Sequence, residues 1–119
     1  HASIIITGGA ATGASTVTVS ENTDAAQSGT TAIAFKLAKE ITAAGDTLGA
    51  LTAVAATGFA MSTNNGTIYV IELDAADLSA AKPWVTVHFG DPSGSVIVSA
   101  VAVLSGGRYA GDESATAIV

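Results

Sequence analysis

Residues 4–20 read IIITGGAATGASTVTVS, from Ile4-Ile5-Ile6 through Gly8, Gly9 and Gly13 to Val17-Thr18-Val19-Ser20. An aliphatic run that ends in glycines is also how nucleotide-binding α/β folds begin. That reading needs glycines at G-x-G-x-x-G spacing and a helix whose N-terminus receives the phosphate. Gly8, Gly9 and Gly13 do not have the spacing. The P-loop pattern fails as well, because Ala14 stands where its lysine belongs. The residues after Ala14 decide the matter: Ser15 to Ser20 alternates β-branched and small polar residues, a strand pattern. The stretch therefore predicts two β-strands joined through a glycine-rich turn.

The same period of two recurs along the chain. Ile33, Phe35 and Leu37 alternate with Ala34, Lys36 and Ala38. Tyr69, Ile71 and Leu73 share one face, and Ile68, Val70 and Glu72 the other. Val85, Val87 and Phe89 oppose Trp84, Thr86 and His88. Ala32 to Ala44 is alanine-rich, but its alternation favours a strand over a helix. Asp74 to Ser79 reads as one short helical turn with Asp74 as its cap. Asn65-Gly66 is a strong hairpin signal and is expected to join a strand holding Phe59 and Met61 to one holding Ile68 and Val70. The segment from Gly90 to Gly94, with Pro92 fixing φ, links the Trp84 strand to the Val96 strand. Seven to nine short strands imply an all-β fold, an antiparallel β-sandwich of jelly-roll-like form with an extended terminal arm. Residues 1–105 form the single sandwich domain and 106–119 the C-terminal arm.

The chain has 119 residues and no cysteine, so disulfides, thiolate metal sites and cysteine nucleophiles are excluded. Ten acidic residues against four basic ones give a formal charge of −6. A nucleic-acid partner is not expected, since Lys36, Lys39, Lys82 and Arg108 make no basic stripe. No membrane partner is expected, because the aliphatic stretch Val96 to Leu104 is half a spanning length; His1-Ala2-Ser3 shows no basic leader, so no signal peptide is expected there. Charged residues are 12% of the chain, about half the usual share. So little charge suits a surface covered by copies or partners, or else a stable extracellular β-protein.

Candidate chemistry is sparse. His88 lies on the polar side of its strand without a nucleophile elbow, so no catalytic residue is assigned. Asp74, Asp77, Asp91, Asp112 and Glu113 could offer oxygens to calcium, but not at EF-hand spacing; no metal and no cofactor is expected. Asn65-Gly66-Thr67 matches a glycosylation sequon and is read as a turn. Trp84 and Phe89 fall on opposite faces of one strand, which argues against a shared sugar platform. Two features favour assembly. Ser95 to Ser105 is apolar on both faces, with Val96 and Val98 on one and Ile97, Val101 and Val103 on the other. A strand in a small sandwich usually buries one face, so the second meets a crossing loop or another subunit. The tail from Arg108 then ends apolar at Ile118-Val119, as a strand laid on a neighbour would.

The run Leu78 to Val87, with Val85-Thr86-Val87, and the run Ser99-Ala100-Val101-Ala102-Val103-Leu104-Ser105-Gly106-Gly107-Arg108-Tyr109 resemble small structural proteins of tailed-bacteriophage virions. The likeness covers about residues 67–112. In that family the V-T-V strand pairs with the S-A-V-A-V-L strand in a β-sandwich. The resemblance implies a non-enzymatic capsid decoration protein on the outer surface of the virion. Its partners would be the major capsid protein and copies of itself, in a homo-oligomer. Trp84, His88, Arg108, Tyr109, Ile118 and Val119 are the expected interface residues. The alternatives are an extracellular filament subunit joined by strand exchange, a tail or neck component, and a sugar-binding module.

Overall fold

The computed structural model describes residues 1–40 and 47–106 of the chain. The fold is an antiparallel β-sandwich, and the described residues form nine strands: β1 (Ala2–Ala11), β2 (Thr16–Asn22), β3 (Thr31–Ile33), β4 (Phe35–Lys39), β5 (Thr52–Val54), β6 (Phe59–Ala60), β7 (Thr67–Leu73), β8 (Trp84–Phe89) and β9 (Val96–Leu104). The first sheet has the order β5-β4-β7-β1-β9. The second is built on β2, with β8 along one side and β3 and β6 in succession along the other. A single 3-10 turn, Ala75–Asp77, follows β7. Asp77 accepts the backbone N–H of Asp74 at 2.8 Å across that turn.

Alternation sorts the core. Ile4 and Ile6 of β1, Phe35 and Leu37 of β4, and Tyr69, Ile71 and Leu73 of β7 face inward. They meet Val17 and Val19 of β2 and Met61 from the second sheet's side. Phe59 bridges the layers, edge-on to Phe35 at 6.2 Å and tilted against Tyr69 at 5.2 Å. The Tyr69 hydroxyl is buried but satisfied, accepting the Ser62 N–H at 2.6 Å, so the ring adds apolar area without an orphaned polar group.

The glycine-rich opening is explained by packing. Gly8 and Gly9 lie within β1, and the chain turns only at Thr12-Gly13 before entering β2 in the other sheet. A Cβ on Gly13 would sit 2.8 Å from the backbone nitrogen of Gly94. Thr12 N–H donates to the Ser95 carbonyl at 2.8 Å, and Ser95 N–H donates to Thr12 Oγ1 at 2.9 Å. The loop thus lets two backbones cross at van der Waals distance, pinning the β1–β2 link to the β8–β9 link.

Two pairings differ from expectation. Asn65-Gly66 does not close a hairpin, because the strands on either side enter different sheets. Phe59 pairs with Val17 of β2, whereas β7 pairs with β1 and β4. Gly66 has φ of +79°, and its N–H caps β1 by donating to the Gly8 carbonyl at 2.8 Å. Likewise β8 and β9 do not pair. The V-T-V strand lies on β2 and the S-A-V-A-V-L strand on β1, and the two face each other across the sandwich. The strands expected over Ala32–Ala44 are β3 and β4; residues 41–44 lie outside the described residues.

Candidate partner interface

β9 is the edge of the first sheet, with β1 on one side. Among the described residues no strand pairs with its other side. Its nine residues carry no charge, no proline and no bulge-forming glycine. Natural edge strands commonly carry such features to prevent association. The strand is apolar on both faces as its sequence indicates, yet neither face is deeply buried. Ile97, Val101 and Leu104 are 65%, 61% and 79% exposed.

The outer face of the first sheet continues this apolar surface inward. Register places Val101, Ile5, Val70 and Ala38 in one row across β9, β1, β7 and β4. The neighbouring rows run Val103-Ser3-Glu72-Lys36 and Ser99-Thr7-Ile68. Ile97 lies over Gly9, whose missing side chain makes room for it: a Cβ there would stand 3.2 Å from the Ile97 side chain. Four strands at about 4.8 Å spacing make the central row some 15 Å wide.

The inner side of β9 looks into a groove of about 480 Å³, open at the sandwich mouth. Ile4 forms its floor, Trp84, Val87 and Phe89 one wall, and Ala102 and Leu104 the other. Trp84, 51% exposed, begins β8 after Pro83, so it lines this groove with Phe89 although alternation puts the two on opposite faces. Five residues of strand keep them about 17 Å apart, too far for one sugar ring to stack on both. His88 is exposed on the outer face of the second sheet, opposite Thr18. Trp84 therefore belongs to the groove and His88 does not. Arg108, Tyr109, Ile118 and Val119, and the arm over 106–119 beyond Gly106, lie outside the described residues.

Polar clusters elsewhere serve the fold. Glu21 continues the inward parity of Val17 and Val19 and is buried. Its carboxylate accepts both the N–H and the hydroxyl of Ser79, at 2.7 and 2.8 Å, with Lys82 Nζ at 3.9 Å. These bonds, the backbone N–H first, hold its pKa below the ordinary carboxylate value. Asn22, wholly buried, donates to Thr86 at 2.9 Å and accepts from Thr30 at 2.7 Å. Period-two parity offered a signal for Glu21; nothing local marked Asn22.

Ser3, His1 and Asp74 share the residue types of a nucleophile triad, but the geometry is that of a clasp. His1 Nδ1 faces Asp74 at 2.9 Å and Nε2 faces Glu72 at 2.7 Å. A carboxylate thus stands at each ring nitrogen, and Ser3 Oγ lies farther from Nε2, at 3.3 Å. The Ser3 hydroxyl donates to Glu72 at 2.7 Å instead. Among the described residues no group of three or more His, Cys, Asp or Glu is placed to hold a metal ion.

No family model, curated protein or solved structure matches this chain.

Proposed function

We propose that the chain is a non-enzymatic assembly subunit, a virion structural protein that decorates the outer surface of a phage head. The observation that carries the reading is the apolar outer face of the first sheet, from Ile97, Val101 and Val103 across Ile5 to Ile68 and Val70. Contiguous exposed apolar surface is unusual on a free domain and marks a docking face. The low charge of the chain supports the same reading, since few ionic groups need desolvation on docking. The resemblance of residues 67–112 to virion proteins supplies the class of partner, the shell protein. Each contact is weak, and repetition over a symmetric shell makes the array firm.

The test is copy number. Purified particles are expected to carry this chain in near-stoichiometric ratio to the shell protein, on the outside of the head in particle images. Absence from particles, or a few copies confined to a tail or neck, would overturn the decoration reading. A filament subunit is the second reading, favoured by the open groove between β8 and β9. It requires that the isolated chain polymerise, and a soluble chain of fixed mass rejects it.

A further inference from the structure

We infer that the edge of β9 left unpaired among the described residues is occupied by β9 of a second copy, in an antiparallel pair about a two-fold axis through Ala100. The inference is independent of the shell partner, because it uses the edge and the groove and leaves the outer face open. An unpaired strand edge offers a row of N–H and C=O groups, and their natural complement is another extended strand. Its nine residues match themselves. Centring the pair on Ala100 overlaps the whole strand, setting Ile97 opposite Val103, Ser99 opposite Val101, Val98 opposite Ala102 and Val96 opposite Leu104. Directly opposed residues of an antiparallel pair share a face, so every match keeps outer with outer and inner with inner. No charge from residues 96–104 meets its own copy, which matters for a chain of formal charge −6.

The same axis resolves the groove. It stands perpendicular to the first sheet, so both second sheets lie on one side of the joined sheet, with their β8 edges facing each other. The half-open grooves, each bearing Trp84, Val87 and Leu104, then open toward one another and exclude water between them. The contact is large enough. Nine residues span about 30 Å, and two sheets about 10 Å apart with their side chains add roughly 20 Å of depth, giving on the order of 600 Å² per copy. Stable interfaces bury about 600 to 1,000 Å² per partner. The interface is isologous and closed, so assembly stops at two.

Cysteine scanning tests the geometry, because the chain has no native thiol. Ala100→Cys in the full chain is expected to cross-link to a covalent dimer under mild oxidation, since opposed residues near the axis stand at disulfide distance. Ser99→Cys is expected to cross-link faster when mixed with Val101→Cys than alone. In sedimentation, the unmodified chain is expected at twice its 11.6 kDa mass. Ala102→Lys, an exposed position on the groove side, is expected to raise the dimer dissociation constant at least tenfold with an unchanged circular dichroism spectrum. Leu51→Lys, an exposed apolar position away from the edge, is expected to stay dimeric. A monomer at about 1 mM, open-ended polymers, or a dimer indifferent to Ala102→Lys and refractory to cross-linking at residues 99–101 would overturn the inference. Particle binding by a strict monomer would leave the decoration reading standing, and a dimer that ignores particles would do the reverse.

Discussion

Replacing both Ile97 and Val101 by serine separates folding from docking. These side chains are 65% and 61% exposed, so folding has withdrawn only about a third of each from water. Full burial of such a side chain stabilises by roughly 1.5–3 kcal/mol. The double variant therefore costs the isolated fold about 1–2 kcal/mol, a modest shift in a urea melt. The other two-thirds of each side chain remains to be buried on docking, worth about 1–2 kcal/mol apiece. Together that is about 2–4 kcal/mol per copy, or roughly thirty- to several-hundred-fold in affinity.

The assay is a pair of measurements on one preparation: urea unfolding of the free variant, and its binding to particles stripped of this chain. A folded variant that binds as tightly as the unmodified chain would refute the assignment of the outer face. So would a folding loss above about 4 kcal/mol, because residues so exposed should not behave as core.

Three further perturbations probe the fold. Ile71→Ala empties a wholly buried site and is expected to cost about 2–5 kcal/mol by denaturant titration, several times the cost of either edge substitution. Gly58→Ala and Gly66→Ala share positive φ, +78° and +79°, but a Cβ at Gly58 would lie 2.0 Å from the Val17 carbonyl oxygen while Gly66 has open space; Gly66→Ala should cost about 1–2 kcal/mol, and Gly58→Ala should cost clearly more or prevent folding. Glu21 has a depressed pKa through its bonds from Ser79, so its contribution is full above its unfolded value near 4.5 and is lost as pH falls through the lower folded value. Melts of Glu21→Gln against the unmodified chain should therefore differ most at neutral pH and converge in acid.

Strand identity was readable because alternation is local: β2, β4, β7 and β8 each announce their inward residues, and Glu21 obeys the parity of Val17 and Val19. Pairing was less readable, because it depends on contacts far apart in sequence. Asn65-Gly66 has the chemistry of a hairpin turn, but turn chemistry does not fix which sheet receives the flanking strands; Phe59 was taken by Val17. The same limit applies to β9. Its two apolar faces stand in the sequence, while its position at an edge follows from β1 lying between it and β7. Asn22 was hidden for a third reason, since its burial comes from Thr30 and Thr86, 8 and 64 residues away.

Edge and face act on different surfaces, and their coupling can be measured. Two copies joined at β9 present one ten-stranded outer face, about 50 Å across at the usual strand spacing. The second half then docks as an intramolecular event, at an effective concentration in the millimolar range for a short, stiff connection. A half-face that binds at about 100 μM thus gains roughly tenfold or more from its twin. Ala102→Lys leaves Ile5, Ile97, Val101 and Val103 in place and removes only the twin. Its binding to stripped particles should therefore persist but weaken at least tenfold, with a saturation curve that no longer depends on how the free chain dimerises. Equal binding by Ala102→Lys and the unmodified chain, with the variant shown to be monomeric by sedimentation, would mean that the two halves of the joined face never engage one shell together.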